Sequence, residues 1–375
     1  MKILVTGANG FVGRNLCAGL GANKEVQLCR FDVDTPREGL FAALAEVDVV
    51  FHLAGVNRPK EVDEFRVGNA DLTREICGWL REHGRAPKLV LTSSIQVDLG
   101  NPYGDSKRQA EIACEDYAAA TGAGAVVYRL KNLFGKWCRP NYNSVTATFC
   151  HNVALGLPIS VSNVANVVDL TYIDDVVAAF IGELTDGRKG YRLAEPLASE
   201  KISLGELVAL IQGFKDSRTS LLLPDFSRPF VRGLYATYLS YLPTNGFDYA
   251  LDLKTDPRGS LAEFIKQPSL GQIFVSRTKP GIARGNHFHH TKVEKFLVLE
   301  GQARIRFRSI QGDEVLDYTV DGRDFKVLDV PPGYTHSIEN VGPNELVTLF
   351  WSSQIFDPQK PDTQFLNVTS TEKCP

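Results

Sequence analysis

Short apolar runs alternate with longer amphipathic stretches through the first 185 residues, and this alternation most constrains the fold. Buried strands of a parallel sheet are short, nearly continuous apolar runs, and the helices that cover them are longer and amphipathic. The alternation therefore predicts an α/β domain with a doubly wound parallel sheet. Strands are expected at 2–6, 26–30, 47–53, 88–93 and 125–130, and helices at 11–21, 38–45, 70–82, 104–120, 144–155 and 174–184.

The pattern changes in the last third of the chain. Residues 203–215 predict one more helix, with Ser203 and Glu206 as a capping box. Residues 221–246 contain three prolines and are expected to form an irregular connector with a short aromatic helix. From about residue 247, short β runs separated by Gly and Pro predict an all-β barrel or jelly roll. The 375 residues therefore divide into two expected domains, 1–245 and 246–375.

Composition excludes several classes of function. A formal net charge of −3, with no long run of one sign, argues against nucleic-acid and membrane-surface partners. The sequence has no apolar window of roughly eighteen residues, and its first apolar run is too short for a signal peptide, so we expect a cytoplasmic protein. No CxxC pair occurs, which predicts free thiols in a reducing compartment. The cysteines are scattered, at positions 17, 29, 77, 114, 138, 150 and 374.

A glycine loop follows the first predicted strand, in "VTGANGFVG". Gly7, Gly10 and Gly13 let backbone amides approach a pyrophosphate, and Phe11 and Val12 open the helix whose N-terminus favours negative charge. The spacing is GxxGxxG rather than the usual GxGxxG, so its position directly after a strand carries most of the signal. The loop predicts a Rossmann-type dinucleotide site.

Residues near this loop predict the choice of cofactor. Ala54 and Gly55 are small and end the third predicted strand beside the loop. Arg14 and Arg30 could each reach a 2′-phosphate, whereas Asp32 could instead hold a 2′-hydroxyl. We expect NADPH.

A candidate acid–base pair follows the fourth predicted strand. Tyr103 and Lys107 in "NPYGDSK" lie four residues apart at the start of a helix and so project from one face. A phenol has a pKa near 10, and a neighbouring lysine cation is expected to lower it. A hydroxyl from Ser94, or from Ser93, could hold a carbonyl oxygen in place.

Residues 1–245 resemble the extended short-chain dehydrogenase/reductase family through "TGANGFVG", "HLAG", "TSS", "YGDSK", "YRLKNLFG" and "LTYIDDVVAA". Ile95 and Gln96 stand where the dehydratases of this family carry an acid and a base, so elimination of water is not expected, whereas hydride transfer remains feasible. The resemblance implies roles for several residues: Tyr103 as acid–base, Lys107 and Asn69 in support of it, Ser94 on the substrate oxygen, and Arg129 and Asn132 on the substrate side.

A histidine cluster lies in the last third, within "GNHFHHTKVEKFLVLEG". His287 and His289 share a face of a strand, Glu294 follows five residues later, and His336 comes after a Pro–Gly turn. Three imidazoles and a carboxylate suit a divalent metal such as zinc, iron, manganese or nickel. His290 faces the opposite way and is not expected to be a ligand.

Residues 247–365 resemble the cupin superfamily through these two elements. The resemblance implies a small β-barrel with a metal inside, and often dimerisation. It does not identify a base for proton abstraction, for which His290, Lys292 and Tyr334 are candidates.

The two halves together resemble the CapF-type family of capsular and O-antigen enzymes, through "NLFGKWCRPNYNSVTATFC" and "LYATYLSYLP" as well as the histidine segment. The resemblance implies a homodimer that epimerises C3 of a UDP-linked 4-ketosugar in the cupin and reduces C4 with NADPH. The metal is then either catalytic or structural. Two alternatives stay open: a reductase whose cupin only dimerises or binds sugar, and a nucleotide sensor without activity.

Overall fold

The computed structural model describes residues 1–369, and the chain divides into two compact units. The first comprises residues 1–212 and 226–244, and the second comprises 213–225 and the residues from 245 onward. The division falls beside the predicted boundary after residue 245, with 213–225 grouped in the second unit. The extents of two independently folding domains stay a prediction.

A parallel sheet forms the centre of the first unit. The strands of this unit are β1 (Lys2–Thr6), β2 (Gln27–Phe31), β3 (Val49–His52), β4 (Lys88–Ser94), β5 (Gly124–Leu130), β6 (Asn132–Phe134), β7 (Val167–Tyr172), β8 (Gly190–Leu193) and β9 (Glu200–Ser203). The main sheet has the order β2-β1-β3-β4-β5-β8, and β6, β7 and β9 form a smaller one. The strand order reverses between β1 and β3, which opens a crevice at the carboxyl ends of these strands.

Helices cover both faces of the main sheet. The helices described up to residue 244 are α1 (Phe11–Gly21), α2 (Arg37–Leu44), α3 (Asp63–Phe65), α4 (Leu72–Glu82), α5 (Pro102–Thr121), α6 (Val145–Leu155), α7 (Ile173–Gly182), α8 (Leu204–Ser220) and α9 (Pro229–Leu239). Of these, α1, α2, α4, α5 and α7 pack against the main sheet. Successive residues of β1 point to opposite faces: Leu4 packs with Ile76 of α4, whereas Ile3 packs with Leu16 of α1 and Phe180 of α7. The predicted doubly wound fold is therefore confirmed.

Most predicted element boundaries fall within two residues of the observed ones. The predicted helix at 70–82 begins later, at Leu72, because residues 66–71 form a π-helical segment that leads into it. The capping box forms, with the Ser203 hydroxyl accepting from the Glu206 amide at 3.2 Å and the Ser203 amide donating to the Glu206 carboxylate at 3.0 Å. The predicted aromatic helix in the connector is α9.

Two antiparallel sheets make up most of the second unit. The strands are β10 (Leu253–Asp256), β11 (Gly259–Gln267), β12 (Gly271–Thr278), β13 (Ala283–Phe288), β14 (Glu294–Glu300), β15 (Gln302–Ser309), β16 (Val315–Asp321), β17 (Val327–Val330), β18 (Tyr334–Asn340), β19 (Leu346–Ser352) and β20 (Gln364–Phe365). One sheet has the order β10-β11-β12-β19-β14-β17 and the other β16-β15-β18-β13-β20. Their inner faces share one apolar core, which includes Phe296, Ile305, Ile338 and Phe350. The predicted all-β jelly roll is confirmed.

The cysteines follow the prediction within the described part of the chain. Cys17, Cys29, Cys77, Cys114, Cys138 and Cys150 are free thiols, five of them buried, and Cys374 lies outside the described residues. Among residues 1–369, none of the helices combines the length and apolar character needed to cross a bilayer.

Phe350 provides a test of the barrel core. Its ring stacks on Phe274 at 4.8 Å and meets Phe296 edge-on at 4.7 Å between ring centroids. Phe350→Ala should lower the free energy of unfolding of the second unit by about 3–5 kcal/mol, because it leaves a cavity. Phe247→Ala is the control, since that side chain is 63% exposed and its loss should change stability by less than about 0.5 kcal/mol. Urea denaturation followed by circular dichroism measures the free energy of unfolding of both variants. Equal losses of stability would contradict the assignment of Phe350 to the core.

Candidate nucleotide and metal sites

The glycine loop after β1 brings backbone directly against backbone. Gly7 has a φ of +67°, and a Cβ there would lie 2.7 Å from the Ala54 backbone nitrogen. A Cβ on Gly13 would lie 2.1 Å from the Gly7 carbonyl oxygen. The Gly10 amide donates to that same carbonyl at 3.0 Å and closes the turn. A side chain at Gly7 or Gly13 would collide with the main chain, so the loop requires these glycines.

Helix α1 begins directly after this loop. Phe11 and Val12 form its first turn and pack partly against the sheet, and no side chain caps the helix at Gly10. The amides of a first helical turn have no partner within the helix, and they favour an anion. The loop also lies at the reversal of strand order, so these residues fit the pyrophosphate of a dinucleotide.

Charged residues on α1 and near the end of β2 are the candidates for contact with the adenosine ribose. The Asp32 carboxylate accepts from the Asn9 amide of the glycine loop at 2.7 Å, so part of its hydrogen-bonding capacity is used within the protein. Arg14 and Arg30 are exposed. Arg30 lies beside Cys17 of α1, where its charge opposes the burial that raises the pKa of that thiol.

The predicted Ser–Tyr–Lys constellation assembles where β4 ends and α5 begins. The Asn101 side chain caps α5 by accepting from the Gly104 amide at 2.8 Å, and this fixes the turn that carries Tyr103. Lys107 is 6% exposed, and its Nζ donates to the Thr92 carbonyl at 3.1 Å and lies 6.0 Å from the Tyr103 ring centroid. Ser94 hydrogen-bonds to the Tyr103 side chain.

The pKa of Tyr103 differs from the expectation. Burial raises it, and the hydrogen bond with Ser94 only partly offsets this. The predicted lowering by Lys107 is not found, because the Lys107 ammonium points to the Thr92 carbonyl rather than to the phenol. Burial also lowers the pKa of Lys107 itself to about 8, against an opposing effect of the Glu111 carboxylate.

Glu111 separates the two serines that the sequence could not distinguish. It is 4% exposed, and its carboxylate accepts from the Ser93 hydroxyl at 2.6 Å, so Ser93 is engaged below the site while Ser94 faces Tyr103. Sequence reasoning missed Glu111, although its position one helical turn after Lys107 places both on one face of α5.

The two predicted substrate residues have different surroundings. Arg129 pairs with Glu111 through Nη2 at 2.7 Å and Nε at 2.9 Å, so its charge is already balanced within the protein. Asn132 is exposed on β6. Ile95 and Gln96 follow Ser94 in a 3₁₀ turn and offer no carboxylate there. Substrate binding by Arg129 and Asn132 stays a prediction.

The side chain of Asn69 links the segment after β3 to helix α5. Its side-chain oxygen accepts from the Val56 amide at 2.8 Å, and its nitrogen donates to the Ser106 hydroxyl at 3.0 Å. A Cβ on Gly55 would lie 2.7 Å from the Asn69 side-chain oxygen and 3.1 Å from the Lys107 Nζ. Gly55 therefore leaves the space in which these two side chains meet.

The predicted metal ligands assemble in the second unit. The ligand atoms of His287, His289, Glu294 and His336 all lie within 4.8 Å of one another. His287 on β13 pairs directly with His336 on β18, and Glu294 opens β14 on the facing sheet. The Nε2 atoms of His289 and His336 each lie 3.5 Å from the Glu294 carboxylate.

The buried polar atoms of this cluster fit a metal ion. Nε2 of His289 and of His336 are buried and have no hydrogen-bond partner. The Nδ1 atom of His336 lies 3.2 Å from the Tyr334 carbonyl, so the proton belongs on Nδ1 and the lone pair of Nε2 faces the cluster. Burial, with smaller effects of His336 and His289, lowers the pKa of His287 to about 4, which keeps its ring neutral and able to ligate.

The three candidate bases of the barrel occupy different environments. His290 is exposed and is absent from the cluster, as predicted. Lys292 is 8% exposed, its Nζ donates to Thr363 at 3.2 Å, and its charge acts on His287. Tyr334 lines a groove of about 390 Å³.

Two family models match the chain. The model of the NAD dependent epimerase/dehydratase family matches residues 3–192, and that of the polysaccharide biosynthesis C-terminal domain matches residues 254–364. The chain belongs to the NAD dependent epimerase/dehydratase family. Membership implies a nicotinamide cofactor, in agreement with the glycine loop.

Full-length relatives have the same combination of parts. The chain is 42% identical over 369 residues to UDP-2-acetamido-2,6-beta-L-arabino-hexul-4-ose reductase of Pseudomonas aeruginosa, covering 98% of this chain and 99% of that one. The crystal structure of the capsular polysaccharide assembling protein CapF from Staphylococcus aureus is 44% identical, with a TM-score of 0.90 and coverage of 98% and 100%. UDP-glucuronic acid 4-epimerase from Bacillus cereus, 20% identical with a TM-score of 0.53 and coverage of 64% and 98%, shares the fold alone. The predicted resemblance to CapF-type enzymes is confirmed.

Gly55→Ala tests the packing around Lys107. The new methyl group would displace Asn69 or Lys107, and disrupting such buried hydrogen bonds should weaken cofactor binding by about tenfold or more. The control is Gly78→Ala in α4, where a Cβ meets nothing within 4 Å and which should leave cofactor binding unchanged. Titration of intrinsic fluorescence with NADPH measures both affinities. Unchanged affinity in Gly55→Ala would show that this packing does not position the cofactor site.

Proposed function

We propose that this protein is a bifunctional nucleotide-sugar enzyme that inverts C3 of UDP-2-acetamido-2,6-dideoxy-L-arabino-hexos-4-ulose and then reduces C4. The observation that carries the proposal is that one chain contains both the Ser94–Tyr103–Lys107 constellation and a buried cluster of four metal-type ligands. The product is UDP-2-acetamido-2,6-dideoxy-L-talose, a precursor of UDP-N-acetyl-L-fucosamine for capsule or O-antigen. The name of the 42% identical reductase supports this substrate.

Reduction of C4 belongs to the first unit in this proposal. The nicotinamide cofactor, when bound, supplies the hydride. Ser94 holds the C4 oxygen by donating a hydrogen bond, and Tyr103 transfers its phenolic proton to that oxygen as the alcohol forms. The raised pKa of Tyr103 keeps the phenol protonated at neutral pH, which is the state that this step needs. Lys107 is buried with its Nζ 6.0 Å from the ring centroid of Tyr103, and its role in this proposal is to hold the ribose of the nicotinamide.

The cofactor is NADPH in this proposal. Arg14 on α1 and Arg30 on β2 are both exposed and can pair with a 2′-phosphate. Asp32, which would hold a free 2′-hydroxyl, already accepts from the Asn9 amide. Equal activity with NADH would contradict this choice.

Inversion of C3 belongs to the second unit. The C4 ketone acidifies the neighbouring C3–H, so a base can remove that proton and reprotonation on the other face inverts the centre. His287, His289, Glu294 and His336 would hold one divalent metal, zinc by ligand type, which when bound either polarises the ketone or stabilises the barrel. Lys292 is one candidate base, because its side chain is buried and lies close enough to His287 to act on that ring. His290 and Tyr334 are the alternatives.

The working form in this proposal is a homodimer in the cytoplasm. The second unit exposes the apolar side chains of Leu316, Tyr318 and Val327 along the neighbouring edge strands β16 and β17, which supports self-association. Light scattering of the purified protein distinguishes a dimer from a monomer.

Tyr103→Phe should separate the two reactions. Loss of the phenolic proton should lower NADPH oxidation by about 10²–10⁴-fold, while solvent deuterium still enters at C3. NMR of the 4-ketosugar with enzyme and NADPH in D₂O reports the label and the product configuration together. Tyr249→Phe, in the second unit, is the control and should behave as wild type. Loss of exchange in Tyr103→Phe would rule out separate sites.

His289→Ala should have the opposite effect. Removing one of the four candidate ligands, itself buried, should release the metal and abolish deuterium entry at C3, whereas cofactor binding by the first unit persists. Metal analysis and the same NMR assay measure this. His83→Ala, which removes an imidazole stacked on Trp79 in α4, is the control. If C3 exchange persists in metal-free His289→Ala, the metal is not required for the epimerisation.

A further inference from the structure

The segment 362–368 lies against the strands that carry the metal ligands. Its short strand β20 pairs with β13, with Phe365 opposite His287 and Gln364 opposite Phe288. Beyond β20, the Leu366 amide donates to the Asn286 carbonyl at 2.9 Å. The segment is therefore hydrogen-bonded along the ligand-bearing part of β13.

Asp362 organises the loop between His289 and Glu294. Its carboxylate accepts from the backbone amides of His290 at 2.9 Å, Thr291 at 2.7 Å and Lys292 at 2.8 Å. It also accepts from the Thr291 hydroxyl at 2.9 Å. One side chain therefore fixes three consecutive peptide units between two of the four candidate ligands.

The backbone of Asp362 acts on a ligand directly. The Nδ1 atom of His289 forms a hydrogen bond with the Asp362 carbonyl, and a carbonyl oxygen can only accept. The ring proton of His289 is therefore held on Nδ1, which leaves the lone pair of Nε2 facing Glu294 and His336.

The rest of the segment is anchored independently of this loop. The Thr335 hydroxyl, on the residue before His336, donates to the Leu366 carbonyl. The buried Arg308 guanidinium donates to the carbonyls of Asn367 at 3.0 Å and Val368 at 3.1 Å. These contacts hold the segment in place, so that Asp362 can position the loop.

We propose that Asp362 is a positioning residue of the metal centre, which sets the tautomer of His289 through its carbonyl and the conformation of the 290–292 loop through its carboxylate. The inference rests on the proposed function in that it requires the cluster to bind a divalent metal. Asp362 lies 68 positions after Glu294 in the sequence and would not itself contact the metal.

Asp362→Asn tests this in the full-length protein. All partners of the carboxylate are donors, so an amide NH₂ in place of one oxygen sets donor against donor and should displace the loop. Affinity for Zn²⁺ alone, measured by competition with a chelator, should fall about 10–100-fold. The visible spectrum of the Co²⁺-substituted protein should change as His289 reorients. Asp362→Ala should lose less affinity, because water can replace the carboxylate.

Asp357→Asn is the matched control. Asp357 lies five residues before Asp362, and its carboxylate accepts from the Gln359 amide at 2.8 Å. Its substitution should leave Zn²⁺ affinity within about twofold. The melting temperatures of the metal-free proteins distinguish a role of Asp362 in stability from its proposed role in positioning the metal ligands. A lower melting temperature in metal-free Asp362→Asn with unchanged Zn²⁺ affinity and Co²⁺ spectrum would overturn the inference. Absence of Zn²⁺ binding by the wild type would instead contradict the proposed function.

Discussion

The close approach of the β1 and β3 backbones at the reversal of strand order is the contact on which the first unit depends. Gly7 meets Ala54 so closely that any side chain would collide, and the next residue, Gly55, leaves the space that Asn69 and Lys107 share. The same few atoms thus shape the cofactor crevice and the support of the acid–base pair. Because the cofactor crevice and the support of the acid–base pair both require glycine at these positions, larger residues there would disrupt the site.

In the second unit, several separate elements position the candidate metal ligands. Its four candidate ligands lie on β13, β14, β18 and the loop after β13, so no single element sets their geometry. The Nδ1–H groups of His289 and His336 donate to backbone carbonyls, and this turns the Nε2 atoms of both rings inward. The tautomers of these two histidines are therefore set by the main chain.

The sequence predicted what periodicity and spacing control. Runs of apolar residues located β1 and α1 closely, and spacing selected four residues that the structure brings together, His287, His289, Glu294 and His336. Alternation along a strand end could not decide between Ser93 and Ser94, because the choice depends on Glu111 from another element.

Contacts between distant segments and desolvation were not predictable. Arg129 was expected on the substrate side, and its pairing with Glu111 joins β5 to α5. The pKa of Tyr103 is raised because the phenol is buried, and burial cannot be deduced from the spacing of residues in the sequence. Nothing near Asp362 in the sequence marks its contact with the loop after His289, since the two lie more than 70 positions apart.

The contacts of Asp362 also affect the order in which the two units can fold as the ribosome synthesises the chain. The residues of the first unit end at 244, so a ribosome has released all of its strands and helices well before the barrel is complete. The candidate metal ligands end at His336, yet the segment that orients His289 begins 26 residues later. The first unit can therefore fold during translation, whereas the candidate metal centre reaches its final geometry only after the segment 362–368 has emerged.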